Sequence, residues 1–255
     1  MLLSVVILFA DHDYMLLDRA INSIKEHIKF SDYEIIAVDN REENKTPINI
    51  DEVKIITQNK NLYTFEGRRF GFNNSIGDFI WNFDADDRMI GNLYEEDINL
   101  DVDFMQMFFK FDPDLKHKPI LLLHKEIPRR YGPNVWSRLY NRKLLEKIYA
   151  RLEKPVIVPK FEDRILFDFV MSYNPKYEYI ERPIYEYNAS RSTTNSTVKE
   201  KVDKIGKDGY DYPYEVLGQP KAAQILKKEV ELFICQNLRE NRYLNTQKQS
   251  LQVMA

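Results

Sequence analysis

The sequence predicts an α/β protein built on a mostly parallel sheet with helices on its faces. Three observations carry this. Residues 2–10, LLSVVILFA, are apolar without a break, as a strand covered on both sides is. Leu16, Leu17, Ala20, Ile21, Ile24 and Ile28 then follow helical spacing. The order continues as strand, short crossover, strand, helix, strand through residue 83, which is the pattern of parallel strands with right-handed connections.

Each element has its own signal. Residues 33–38, YEIIAV, read as the second strand, ending at Asp39-Asn40, and 53–57, VKIIT, as the third. Residues 64–76 carry helix-compatible spacing, with Ile76-Gly77 as the expected stop. Residues 78–83, DFIWNF, form a fourth strand running into Asp84-Ala85-Asp86-Asp87. Beyond it, 102–110 and 120–124 read as edge strands, 142–152 and 161–171 as helices, and 177–180 and 184–187 as short strands. From Thr197 the chain turns polar and Gly/Tyr/Pro-rich, and an amphipathic helix is expected at about 221–240. The expected organisation is a catalytic body over 1–195 and a helical C-terminal extension over 196–255.

Composition narrows the function. The 255 residues are 44% hydrophobic and 30% charged, as in a globular chain. A formal net charge of −3 provides no basic footprint for nucleic acid. Cys235 is the only cysteine, which excludes an internal disulfide framework and fits a reducing, cytoplasmic setting. Residues 2–10 are too short to span a bilayer and lack a basic leader, so no transmembrane segment or signal peptide is expected. The four histidines lack zinc-ligand spacing, and the eight glycines form neither a P-loop nor a dinucleotide fingerprint.

In an open parallel sheet, ligands bind beyond the carboxyl ends of the strands. Acidic breaks fall at three such ends: 11–13, Asp39-Asn40 and 84–87. In an extended segment Asp84 and Asp86 project to one side. Two neighbouring carboxylates repel unless a cation neutralises them, and oxygen ligands suit Mg²⁺ or Mn²⁺. Asp-x-Asp alone is equally a solvated turn. The apolar strand before it and the extra acid at Asp87 favour a site.

The set of motifs resembles family 2 glycosyltransferases of the GT-A fold, over roughly residues 2–190. SVVILFAD (4–11) stands where that family has S-V-I-I-P-x-Y-N, and Val38-Asp39-Asn40 where it has V-D-D. Arg68-Arg69-Phe70-Gly71 with Gly77 matches R-N-x-G and its following glycine, and Phe83 to Asp87 matches the Asp-x-Asp strand. Residues 135–142 resemble W-x-K-L-Y-x-R, and Glu162-Asp163 the family's E-D pair. Leu8, Ala10, Asp11, Asn40 and Arg69 depart from the pattern, and Asn40 donates as well as accepts.

The resemblance implies an inverting, metal-dependent transfer of a sugar from a nucleoside diphosphate to a hydroxyl of a glycan, a lipid-linked sugar or a protein. Asp163 would be the base. Asp39, Asn40, Arg68 and Asp84 would bind the donor, and so would Arg191 and Ser192 after the E-D helix. Asp86 and Asp87 would hold Mn²⁺ or Mg²⁺, and Trp136 and Glu162 would face the acceptor. By position alone, Asp163 could instead serve the dipole of its helix, and Trp136 could be core. A sugar-phosphate nucleotidyltransferase is the alternative enzyme, but residues 8–14 lack the glycine that a triphosphate loop needs. A non-catalytic carbohydrate-binding relative is the third reading. The C-terminal helix reads as a packing element or homodimer contact, with peripheral membrane contact as the other partner reading.

Overall fold

A computed structural model describes residues 1–10, 14–41, 48–58, 60–111, 134–158, 160–188, 202–203 and 206–231. The expected strand at 120–124, the acidic break at 11–13, Arg191, Ser192 and the end of the C-terminal helix lie outside these residues.

The chain forms β1 (Leu3–Phe9), β2 (Tyr33–Asp39) and β3 (Val53–Thr57), then β4 (Phe79–Asp84), β5 (Arg88–Met89) and β6 (Phe104–Phe111), and lastly β7 (Arg138–Asn141) and β8 (Tyr177–Tyr187). These eight strands make one sheet in the order β3-β2-β1-β4-β7-β6-β8-β5. The half formed by β3, β2, β1 and β4 is parallel, as expected. Past β4 the sheet is mixed: β7 runs antiparallel to both β4 and β6, and β6 pairs parallel with β8.

Helix α1 (Leu17–His27) buries Leu17, Ala20, Ile21 and Ile24. That i, i+3, i+4, i+7 stripe joins Val5, Ile7 and Phe9 of β1 and Trp81 and Phe83 of β4 in one cluster. Helix α2 (Tyr63–Asn73) covers the other face. It can lie close because Gly71 meets Val6 and Val38: a Cβ at Gly71 would collide with the Val6 side chain. Helices α3 (Arg142–Arg151) and α4 (Glu162–Ser172) follow at the expected places.

Two expectations change. The second helix ends at Asn73, not at Gly77. Gly77 serves a close approach instead, since a Cβ there would sit 2.5 Å from the Ser4 backbone nitrogen. The two short strands at 177–180 and 184–187 are one strand, β8, which passes Pro183 by shifting register against β6 between Met107 and Phe109.

The described chain divides into two compact units. One holds Met1–Pro155 and Glu162–Ser192, the other Val156–Phe161 and Thr193–Ala255. In the second unit, the Tyr210 hydroxyl donates to the Lys160 carbonyl at 2.5 Å, and Lys227 pairs with Asp211 at 2.6 Å. Helical residues 220–231 bury Ala223, Leu226 and Val230, while Ile225 is exposed. Among the described residues no helix is long and apolar enough to cross a membrane.

Candidate functional site

The chain leaves β4 at Asp84 and turns, with the Asp87 amide donating to the Asp84 carbonyl at 3.1 Å. The segment is therefore a turn and not the extended run expected. The alternation survives: Ala85 and Asp87 are buried, and Asp84 and Asp86 share the more open side.

Asp87 is fully buried and both of its carboxylate oxygens are engaged. One accepts from the Tyr185 hydroxyl and the other from the Asn188 amide at 2.6 Å. Burial, reinforced by the charges of Asp86 and Asp84, holds its carboxyl well above the usual range despite these two donors. Burial also raises the Tyr185 hydroxyl, with Asp87 adding to the effect, so Tyr185 keeps the proton it donates. Asp87 thus ties the Asp84–Asp87 turn to β8. The Asp86 carbonyl accepts from Arg19 and from the Asn188 side chain at 3.2 Å. Among the described residues no three His, Cys, Asp or Glu side chains converge as a metal cage. The donor set fits Mg²⁺ or Mn²⁺ only in the form that one carboxylate, substrate phosphates and water complete together.

Arg68 of α2 is buried between Asp84 and α4. Its Nη2 donates to Asp84 Oδ1 at 2.8 Å, its Nη1 donates to Asp163 Oδ1, and Glu162 Oε1 lies 3.5 Å from Nη1. The other Asp163 oxygen accepts from the Val135 amide at 3.4 Å. Burial pushes the Asp163 carboxyl up, to about 7, against the pull of Arg68; Glu162 and Asp84 push the same way.

At the end of β2 both expected donor residues already have partners within the chain. Asp39 accepts from Arg41 through Nε and Nη2, each at 2.9 Å, and the pair is buried. Asn40 accepts from the Leu62 amide at 2.7 Å and donates to Asn61 at 3.1 Å, and Asn61 accepts from the Tyr63 amide at 2.8 Å. An Asp at position 40 could not make that donation, so Asn40 ties β2 to the start of α2. Trp136 is buried as the middle ring of a stack, with Tyr185 at 4.7 Å and Tyr187 at 5.0 Å. Its carbonyl accepts from the Trp81 indole at 2.7 Å.

Residues 4–99 match the model described as glycosyl transferase family 2. TarS 1–349 from S. aureus matches over 85% of this chain and 71% of its own, at 13% identity and a TM-score of 0.57. Its complex with UDP-GlcNAc matches at 14% identity and a TM-score of 0.59, over 85% of this chain and 72% of its own. No curated protein matches the chain. The mixed sheet flanked by helices is thus the GT-A fold, and the chain is a glycosyltransferase.

The family 2 segment contains Asp39, Asn40, Arg68, Asp84, Asp86 and Asp87, while Trp136, Glu162 and Asp163 come from beyond it. The fold brings Asp84, Arg68, Glu162 and Asp163 into one cluster, whereas Asp39 and Asn40, at the end of β2, bond to Arg41, Asn61 and Leu62. Sequence reasoning missed Arg41, Asn61, Tyr185, Asn188 and Arg19 around the family 2 segment. Only Arg41, two residues from Asp39, carries a local signal.

Proposed function

We propose that the chain moves a sugar from a nucleoside diphosphate donor to a hydroxyl with inversion, and that Asp163 is the base. One observation carries this: a buried carboxyl with raised proton affinity stands within reach of the same guanidinium as Asp84, at the end of a central strand. A base poised near neutral pH is far better matched to an alcohol than an ordinary aspartate is. Asp163 takes the acceptor's proton as the acceptor oxygen bonds to the anomeric carbon. The bond from that carbon to the diphosphate breaks, and the nucleoside diphosphate leaves.

Asp84 is assigned to the donor's ribose or sugar, and Asp39 and Asn40 to its base or ribose. Arg191 and Ser192 are assigned to its diphosphate. Asp86 would hold a divalent ion, whose chemistry is to neutralise charge on the leaving diphosphate. The engaged oxygens of Asp87 support a structural task for it. Glu162 and the stack around Trp136 are assigned to the acceptor side, with half-buried Tyr187 as the stack's outer ring. The likeness to TarS in complex with UDP-GlcNAc makes that compound the first donor to test. The acceptor is a hydroxyl of a glycan, a lipid-linked sugar or a protein, and the single Cys235 supports work in the cytoplasm.

The test combines binding and turnover. Thermal melts with a panel of nucleoside diphosphates and sugar nucleotides, with and without Mn²⁺, should show one base raising Tm, and more so with the metal. Asp163→Asn should keep that shift and lose transfer by about 100-fold or more. Near-normal turnover in that variant would remove Asp163 as base.

A further inference from the structure

We infer that Arg68 is a positioning residue, spanning the donor-side Asp84 and the base Asp163 and holding the two at a set separation, and not a contact for the nucleotide. The inference rests on the transfer reading above.

The geometry is that of a fork with both prongs used. Nη2 is on Asp84, Nη1 is on Asp163 with Glu162 close by, and Nε is sealed from water without a partner. Arg68 is only 5% exposed, so a phosphate or base could reach it only by displacing a carboxylate. Its backbone is fixed as well. Gly67 and Gly71 on either side of Arg68 pack on Leu8 and Val6, so α2 has no room to shift toward β1. A planar guanidinium holds two carboxylates along separate edges, which a lysine ammonium cannot do in the same geometry.

The electrostatics follow from the same contacts. One cation faces three carboxylates. Among the described residues, the charged or titratable groups facing Asp163 are Arg68 from α2, Glu162 from α4, Asp84 from β4 and Tyr140 from β7. Arg68 lowers the proton affinity of Asp163 by its charge and its hydrogen bond, opposing burial and both acids. Removing it should leave the base protonated at neutral pH and free to turn away.

The deciding measurement is a titration of the Asp163 carboxyl by ¹³C NMR in the full chain. Its signal is assigned by its loss in Asp163→Asn. Arg68→Gln should raise the apparent pKa by about one unit or more, with Arg68→Lys between it and the wild type. In turnover, Arg68→Gln should lose about tenfold or more in kcat at pH 7, keep its donor Kd within about threefold, and recover as pH rises past the new pKa. If Arg68→Gln does not fold, Arg68→Lys keeps the charge but not the fork, and should show a smaller fall in kcat that matches its smaller pKa rise, with donor Kd retained. An unmoved Asp163 titration, or a loss confined to donor Kd with kcat unchanged, would overturn the inference. Absence of transfer in the wild type with every donor would sink the proposed function, while the titration would still decide the role of Arg68.

Discussion

Asp163 shows how one residue carries opposing demands. It opens α4, where a carboxylate favours the helix dipole, yet its burial disfavours the charge it needs as a base. That conflict is measurable without any substrate. An aspartate in an unfolded chain titrates near ~3.9, whereas burial pushes the Asp163 carboxyl of the folded chain up to about 7. Between those values the folded state binds the extra proton, so this group's contribution to stability is full below the unfolded value and lost as pH rises through the folded one. Urea denaturation of the wild type and Asp163→Asn should therefore give a stability difference that moves against the wild type from pH 4 to 8. Its size should be on the order of a few kcal/mol, since each unit of pKa is worth about 1.4 kcal/mol. A difference flat across that range would mean that Asp163 is ionised with no penalty, and that its suitability as a base must come from position alone.

At the scale of elements, the turn from α2 into β4 is held from several sides. Ser4 Oγ accepts from the Gly77 amide at 2.7 Å and donates to Glu34 at 2.6 Å, which also accepts from the Ile76 amide at 2.7 Å. Arg142 donates to the Gly77 carbonyl at 2.6 Å and to Ser75 Oγ at 2.8 Å. Gly77→Ala would push a methyl into the Ser4 backbone, which cannot rotate aside. We expect a loss of about 1–3 kcal/mol, as for other overpacked sites, read as a lower urea midpoint with an unchanged slope; an unchanged midpoint would refute the tight approach. This glycine also marks the limit of what the sequence makes legible. A stop signal and a close-approach signal are both written as Gly after a helix, and only the partner, Ser4, tells them apart. Apolar runs placed β1 to β4, and helical spacing placed α1, within a residue or two, whereas α2 stops three residues before its spacing suggests. Pro183 broke β8 into two expected strands because a register shift beside a proline leaves no period to follow. The link from Arg68 to Asp163 spans 95 residues, and no local pattern encodes it. The resemblance named both residues but not their contact.

For the whole molecule, the two compact units raise a question that a simple cut would answer. The segment Val156–Phe161 sits with the second unit although the chain on either side of it belongs to the first. Val156 and Val158 are buried, a Cβ at Gly209 would collide with the Ile157 carbonyl, and Tyr210 bonds to Lys160. Deleting 196–255 would keep every residue proposed for donor, metal and base, yet would strip this segment of its partners. Exposing two buried valines costs about 1.5–3 kcal/mol each, and about 2–4 °C of Tm is lost per kcal/mol in a chain of this size. We therefore expect the chain ending at residue 195 to melt on the order of 10 °C lower, and limited proteolysis to cut first within 156–161. The effect should reach catalysis, because the next two residues are Glu162 and Asp163. With the segment loose, kcat should fall further than donor affinity, since Asp84 and Asp86 lie on β4 and its turn, far from the cut in sequence. A truncated chain that melts and turns over like the full one would make the catalytic body self-sufficient. The last sixty residues would then have a task outside catalysis, such as contact with a second copy or a membrane surface.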